Sequence, residues 1–272
     1  MTLSSFLYQI LDGGRKEKGY THRESLEIAR QAGVKNVDIN AQMFDSVPVE
    51  KVKALLDEFG MTMCVHSARC CDFTDEGTYL KSLDIMKNDL LCAKKGGSKF
   101  LMAVPMLPDD KLNYDDNIQR EYFFRIFKEL ADFGAENGVC VTVESFSDPR
   151  LPYAKISDIK WLLDGIDNLY FNLDTGNFTL AGEDAVEGAK AFIDKTVNVH
   201  LKDVAVVEKS SLVRHGVCYD CVALGEGSVD NGRIIDLLKE ADYRGYLTVE
   251  VSAPLFDRTM KSLEYIKYHL GM

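Results

Sequence analysis

No stretch of this 272-residue chain stays apolar for the roughly 20 residues that a bilayer span needs, and residues 1–14 lack the basic start and apolar core of a secretion signal. Positive charge is scarce as well: 32 Lys and Arg stand against 43 Asp and Glu, a formal net charge of −11 with a pI near 5.0. A surface of that sign repels phosphate backbones and anionic lipid, so neither nucleic acid nor membrane is an expected partner. A soluble cytoplasmic protein is expected. The seven cysteines are odd in number and scattered, which suits a reducing compartment better than a disulfide framework. Cys218 and Cys221 form a C-x-x-C, but Cys70 and Cys71 do not supply a second at matching spacing, so these read as small loop residues rather than a zinc site. No G-x-G-x-x-G follows the first apolar segment, which removes the sign of a dinucleotide fold.

What the chain does have is alternation. With 46% hydrophobic residues it can build a large core, and short β-branched or aromatic runs alternate with longer segments of helical period. The runs predict strands over Leu3 to Tyr8, Asn36 to Asn40, Met61 to His66, Lys99 to Val104, Val139 to Glu144, Leu169 to Asp174, Thr196 to Leu201 and Leu247 to Val251. Helices are predicted over His22 to Gln31, Pro48 to Phe59, Tyr79 to Lys95, Asn117 to Asn137, Lys155 to Leu163, Asp184 to Asp194, Asp230 to Ala241 and Thr259 to Leu270. Gly33, Gly60, Gly96 with Gly97, and Gly138 follow helical runs where a left-handed cap is expected. Several strands are almost wholly apolar, as in a parallel sheet covered on both faces. Eight βα units in 272 residues fit the length of one (β/α)8 TIM barrel, so an α/β fold with a single domain over residues 1–272 is expected. The long segment from Asp203 to Gly227 has no helical period; its alternation near Val204 to Glu208 and Val217 to Ala223 predicts a small hairpin over the active-site face.

Catalytic groups of such barrels sit at the C-terminal ends of the strands. The ionisable residues there are His66, Glu144, Asp174, His200 and Glu250, the last four on consecutive strands. Each alone could be a helix cap or a hydrogen-bonded core group. Together, three carboxylates in one low-dielectric mouth repel strongly and would have to take up protons. One divalent metal ion resolves this, and three oxygen donors with one imidazole suit Mn²⁺, Mg²⁺ or Co²⁺ without excluding Zn²⁺.

Five motifs then stand in order: V-T-V-E-S-F ending at Phe146, L-D-T-G-N from Leu173 to Asn177, V-H-L-K-D from Val199 to Asp203, L-G-E-G-S-V-D from Leu224 to Asp230, and G-Y-L-T-V-E from Gly245 to Glu250. With V-H-S around His66, they make the chain resemble the xylose isomerase-like barrel superfamily, the sugar isomerase/epimerase group related in fold to apurinic-site endonucleases. The resemblance implies that Glu144, Asp174, His200 and Glu250 are the metal ligands. It also implies that Glu144 and Glu250 are the catalytic acid and base on either side of the substrate, with Asp174 and His200 mainly anchoring the metal. Asn177 stands where many ketose epimerases of the group carry histidine, and it can donate to a substrate hydroxyl without titrating near neutrality. The stretch between His200 and Glu250 is longer than in compact ketose epimerases.

Such a constellation abstracts a proton beside a carbonyl to give an enediolate. Reprotonation gives epimerisation or aldose–ketose isomerisation, and loss of a β-hydroxyl gives dehydration. The expected activity is therefore a metal-dependent isomerase or epimerase on a keto-sugar or related hydroxy-carbonyl, with a lyase on a keto-cyclitol or keto-sugar as the alternative. His66, Asn177 and Lys202 are candidate substrate contacts, Lys202 sharing the face of His200 only if the strand has already ended. Glu226 is expected to shape its loop with Gly225 and Gly227, and the aromatic residues Trp161, Tyr122, Phe123, Phe124 and Phe127 to pack on outer helices. An acid in the glycine-rich loop, where barrels grip phosphate, favours an uncharged carbohydrate or cyclitol, while Arg214, Lys209 and Lys202 keep a phosphorylated one open. An apurinic-site endonuclease would need more than the five histidines present, of which His22 and His269 fall on predicted helices. A non-catalytic barrel would have no need of the intact ligand set. No interface signature decides between a monomer and a homo-oligomer.

Overall fold

The computed structural model describes residues 1–111, 117–251 and 255–272. Eight strands form the closed sheet: β1 (Thr2–Phe6), β2 (Asn36–Asn40), β3 (Thr62–Cys70), β4 (Phe100–Met106), β5 (Cys140–Glu144), β6 (Leu169–Asp174), β7 (Thr196–Leu201) and, last in the chain, β11 (Tyr246–Val249). Their order around the barrel is β1-β11-β7-β6-β5-β4-β3-β2, and β1 pairs in parallel with both β11 and β2 to close it. The chain is thus a single closed α/β barrel, as the alternation predicts. The helices are α1 (Leu7–Gly13), α2 (His22–Gln31), α3 (Val49–Glu58), α4 (Glu76–Gly96), α5 (Asn117–Asn137), α6 (Ile156–Gly165), α7 (Thr175–Leu180), α8 (Ala185–Phe192), α9 (Asn231–Glu240) and α10 (Phe256–Leu270). Among the described residues no helix is long and apolar enough to cross a membrane.

Local chemistry explains the element ends. Thr21 and Glu24 form a reciprocal capping box at the start of α2, as do Asp75 and Thr78 at the start of α4, which begins three residues before the Tyr79 expected from apolar period. Gly97 ends α4 at φ +80°, a conformation open to glycine at little cost. Along the strands, Val141, Val143, Leu173, Val199, Leu201, Leu247 and Val249 are buried in the core beneath the helices, while the alternate residues turn inward. Phe123 and Phe127 of α5 are fully buried, and Trp161 packs on Phe124, so the aromatic residues serve the outer shell as expected.

Two short helices are absent from the sequence expectation. The apolar run of the first strand continues past Phe6 into α1, because Leu7 and Ile10, one helical turn apart, bury as well in a helix as in a strand. α7 is only six residues long, too short to display a period. The segment after β7 folds into a three-stranded antiparallel sheet of β8 (Asp203–Val206), β10 (Val217–Val222) and β9 (Leu212–Arg214), so the expected hairpin gains a third strand. Arg214 joins it to the loop after β5, donating to the carbonyl of Ser147 at 2.7 Å.

Candidate metal centre

The register of the parallel ladder brings the strand-end acids to one level. Glu144 of β5 lies beside Asn172 of β6, Asp174 of β6 beside His200 of β7, and His200 beside Thr248 of β11, two residues before Glu250. One ligand atom from each of Glu144, Asp174, His200 and Glu250 lies within 4.8 Å of all the others. Glu144 Oε1 is 2.7 Å and Glu250 Oε2 3.0 Å from His200 Nδ1. The side chains of Asp174 and His200 are inaccessible to solvent, whereas that of Glu250 is 17% exposed, making it the acid that meets a molecule entering the mouth. Asn172 donates to Glu144 Oε1 at 2.5 Å and fixes that carboxylate from below.

Lys202 is part of the same cluster. Its buried ammonium lies 2.8 Å from Asp174, 2.7 Å from Glu250 and 3.1 Å from Asn177 Oδ1. β7 ends at Leu201, so the strand has ended by Lys202, the condition the sequence expectation set, and Lys202 joins His200 at the mouth. Asn177 is committed within the protein, donating to the carbonyl of Ser145 at 2.9 Å while accepting from Lys202. His66 lies beside the cluster, its ring centroid 5.0 Å from that of His200.

Three carboxylates against one ammonium leave two negative charges in excess. Burial, then the charges of Glu250 and Glu144, push the Asp174 carboxyl up to about 8 against the pull of Lys202. Burial also works against the charged form of Glu250, but Lys202 and His200 outweigh it and hold this acid below the ordinary range. For His200 in the metal-free centre, burial opposes the imidazolium; the negative charge of Glu144, the hydrogen bond to Asp38 and the nearby Glu250 carboxylate overcome it and hold its pKa well above the usual value.

Whether the residues suit a metal is tested by His200 Nδ1. This buried atom has no hydrogen-bond partner, because the two carboxylate oxygens flank it off the axis a hydrogen bond requires. The other ring nitrogen, Nε2, is committed to Asp38 at 2.9 Å. A lone pair facing carboxylate oxygens is repulsive unless a cation lies between them. The site therefore fits a divalent ion held by Glu144, Asp174, His200 and Glu250.

Two residues that matter here are not among those singled out from sequence. Asp38 is fully buried within β2 and joins His66, His200, Ser4, Asn36 and Thr248 by hydrogen bonds. Attention to strand ends passes over it, although an acid inside N-V-D-I-N is itself a signal. Tyr8, just past β1, donates to the carbonyl of Val251 at 3.0 Å; burial and the charge of Glu250 push its phenol up to about 12. The glycine-rich loop is shaped differently from expectation. Asp203, not Glu226, organises it, accepting from the amides of Gly225 at 2.9 Å, Gly227 at 3.1 Å and Val229 at 3.0 Å. Glu226 instead pairs with Lys261 on the surface.

The fold and the strand-end groups together define the class: a closed parallel barrel with a candidate metal site at the ends of its strands. The sequence profile of the Xylose isomerase-like TIM barrel family matches residues 26–269, and the chain belongs to that family. An inosose isomerase from Halalkalibacterium halodurans is 24% identical over 182 residues, 66% of this chain and 62% of that protein. An inosose dehydratase from Clostridium perfringens is 30% identical over 125 residues, 40% of this chain and 42% of that protein. The chain therefore spans less than two thirds of either relative, and both relatives are named as enzymes. The crystal structure of the IolI protein with a binding zinc atom shares the fold, with a TM-score of 0.78 at 16% identity over 100% of this chain and 98% of that one.

Proposed function

We propose that the chain is a divalent-metal-dependent isomerase or epimerase that moves a proton beside the carbonyl of a keto-sugar or keto-cyclitol. The observation that carries the reading is the convergence of Glu144 and Glu250, from β5 and β11, on the unpartnered Nδ1 of His200. A divalent ion held by these two with Asp174 would polarise the carbonyl and hydroxyl oxygens of an α-hydroxyketone and acidify the C–H between them. Glu250, the most solvent-accessible of the four, takes that proton, and the C–H electron pair moves toward the carbonyl oxygen as an enediolate forms. Glu144 returns a proton from the other side. Delivery to the same carbon inverts it; delivery to the former carbonyl carbon, with the hydroxyl proton passing to the former carbonyl oxygen, exchanges ketose for aldose. Asp174 and His200 anchor, Lys202, steadied by Asn177, holds Asp174 and Glu250 in place, and His66 lines the substrate side.

The relatives bear on the substrate. An inosose is a keto-cyclitol, which offers the required hydroxy-carbonyl without a charged group. The glycine-rich loop supports this, since the amides a phosphate would use are held by Asp203, and Arg214 is engaged with Ser147. The match to an inosose dehydratase favours one second reading, in which the same abstraction is followed by loss of a β-hydroxyl as water. Glu144→Gln and Glu250→Gln test the assignment: each is expected to stay folded and lose at least about 100-fold in turnover, the usual minimum for a general acid or base. Wild-type turnover by either variant overturns its role.

A further inference from the structure

We propose that Asp38 is a positioning residue for the metal centre, fixing which nitrogen of His200 faces the carboxylates. Asp38 Oδ2 lies 2.9 Å from His200 Nε2 and 3.0 Å from His66 Nε2, so one oxygen accepts from both imidazoles. Its other oxygen accepts from Ser4 Oγ at 3.1 Å and Asn36 Nδ2 at 3.0 Å, which clamps the carboxylate from beneath. An ionised carboxylate only accepts hydrogen bonds, so each Nε2 must carry a proton. For His200 this leaves Nδ1 as the nitrogen with a free lone pair, the atom that Glu144 and Glu250 flank. A carboxylate behind a ligating imidazole sets its tautomer and ring plane and strengthens it as a donor. Because His66 shares that oxygen, Asp38 also fixes the ring plane of His66 relative to His200.

The inference rests on the metal reading above, and the test separates the two. Zn²⁺ affinity is measured by chelator competition for the wild type, Asp38→Asn and Ser4→Ala. The amide of Asp38→Asn cannot accept from both imidazoles at one atom if its nitrogen faces them; the variant is expected to lose about 10–100-fold in Zn²⁺ affinity. Ser4→Ala disturbs the same carboxylate from its far side without releasing an imidazole, and is expected to bind close to wild type. Unchanged affinity in Asp38→Asn, or equal losses in both variants, overturns the positioning role while leaving the metal reading intact. Absence of Zn²⁺ binding by the wild type overturns both. Should Asp38→Asn fail to fold, ¹⁵N NMR of the Zn²⁺-loaded wild type decides: a proton on His200 Nε2 supports the inference, and one on Nδ1 overturns it.

Discussion

Lys202 gives the centre a cation of its own, 2.8 Å from Asp174 and 2.7 Å from Glu250. Removing one partner of a buried ion pair leaves uncompensated charge, so Lys202→Met is expected to destabilise the metal-free protein by about 3–5 kcal/mol. A divalent ion then recovers more stability in the variant than in the wild type, measured by urea unfolding with and without Mg²⁺. Equal recovery would remove Lys202 from the electrostatics of the centre. At this scale most of the candidate site is legible in the sequence, because period-two alternation and strand ends identify Glu144, Asp174, His200 and Glu250 directly. Asp38 is not, since it lies two residues inside its strand and its importance comes from histidines 28 and 162 positions away. Nothing local to N-V-D-I-N reports that pairing.

Asp203 ties the small sheet to the loop that follows it. Its carboxylate accepts from the amides of Val204, Gly225, Gly227 and Val229, and it is fully buried. Asp203→Ala would leave several of these donors without a partner, at about 1–3 kcal/mol for each one that water cannot reach. A loss of at least about 3 kcal/mol is expected, with faster amide exchange in residues 224–230; a change within about 0.5 kcal/mol, typical of a surface substitution, would contradict the role. The elements whose sequence period is long were legible, and those that depend on tertiary partners were not. α7 begins where Asp174 accepts from the amide of Asn177, so the residue that ends a strand also caps a helix, and six residues display no helical stripe. β9 has three residues and exists only through pairing with β10.

Across the whole molecule, an apolar outer layer between strands and helices encloses a polar inner layer that runs from Ser4, Asn36 and Asp38 up to the acids at the mouth. The fold holds those acids together at electrostatic cost, which a bound divalent cation would offset. Binding of Mg²⁺, Co²⁺ or Zn²⁺ is therefore expected to raise the melting temperature, with about 2.7 kcal/mol of added stability at 100 times Kd, and a chelator is expected to reverse it. No metal-dependent shift would argue that Lys202 and protons alone neutralise the site. The most direct test of the central claim is proton NMR in D₂O of the protein loaded with Mg²⁺ or Co²⁺ and free of Mn²⁺, against ketoses, keto-cyclitols and hydroxypyruvate. Deuterium entering the carbon beside the carbonyl, abolished by chelator and in Glu144→Gln and Glu250→Gln, is the predicted result. Folded, metal-loaded protein that exchanges no such proton with any of these substrates would contradict it.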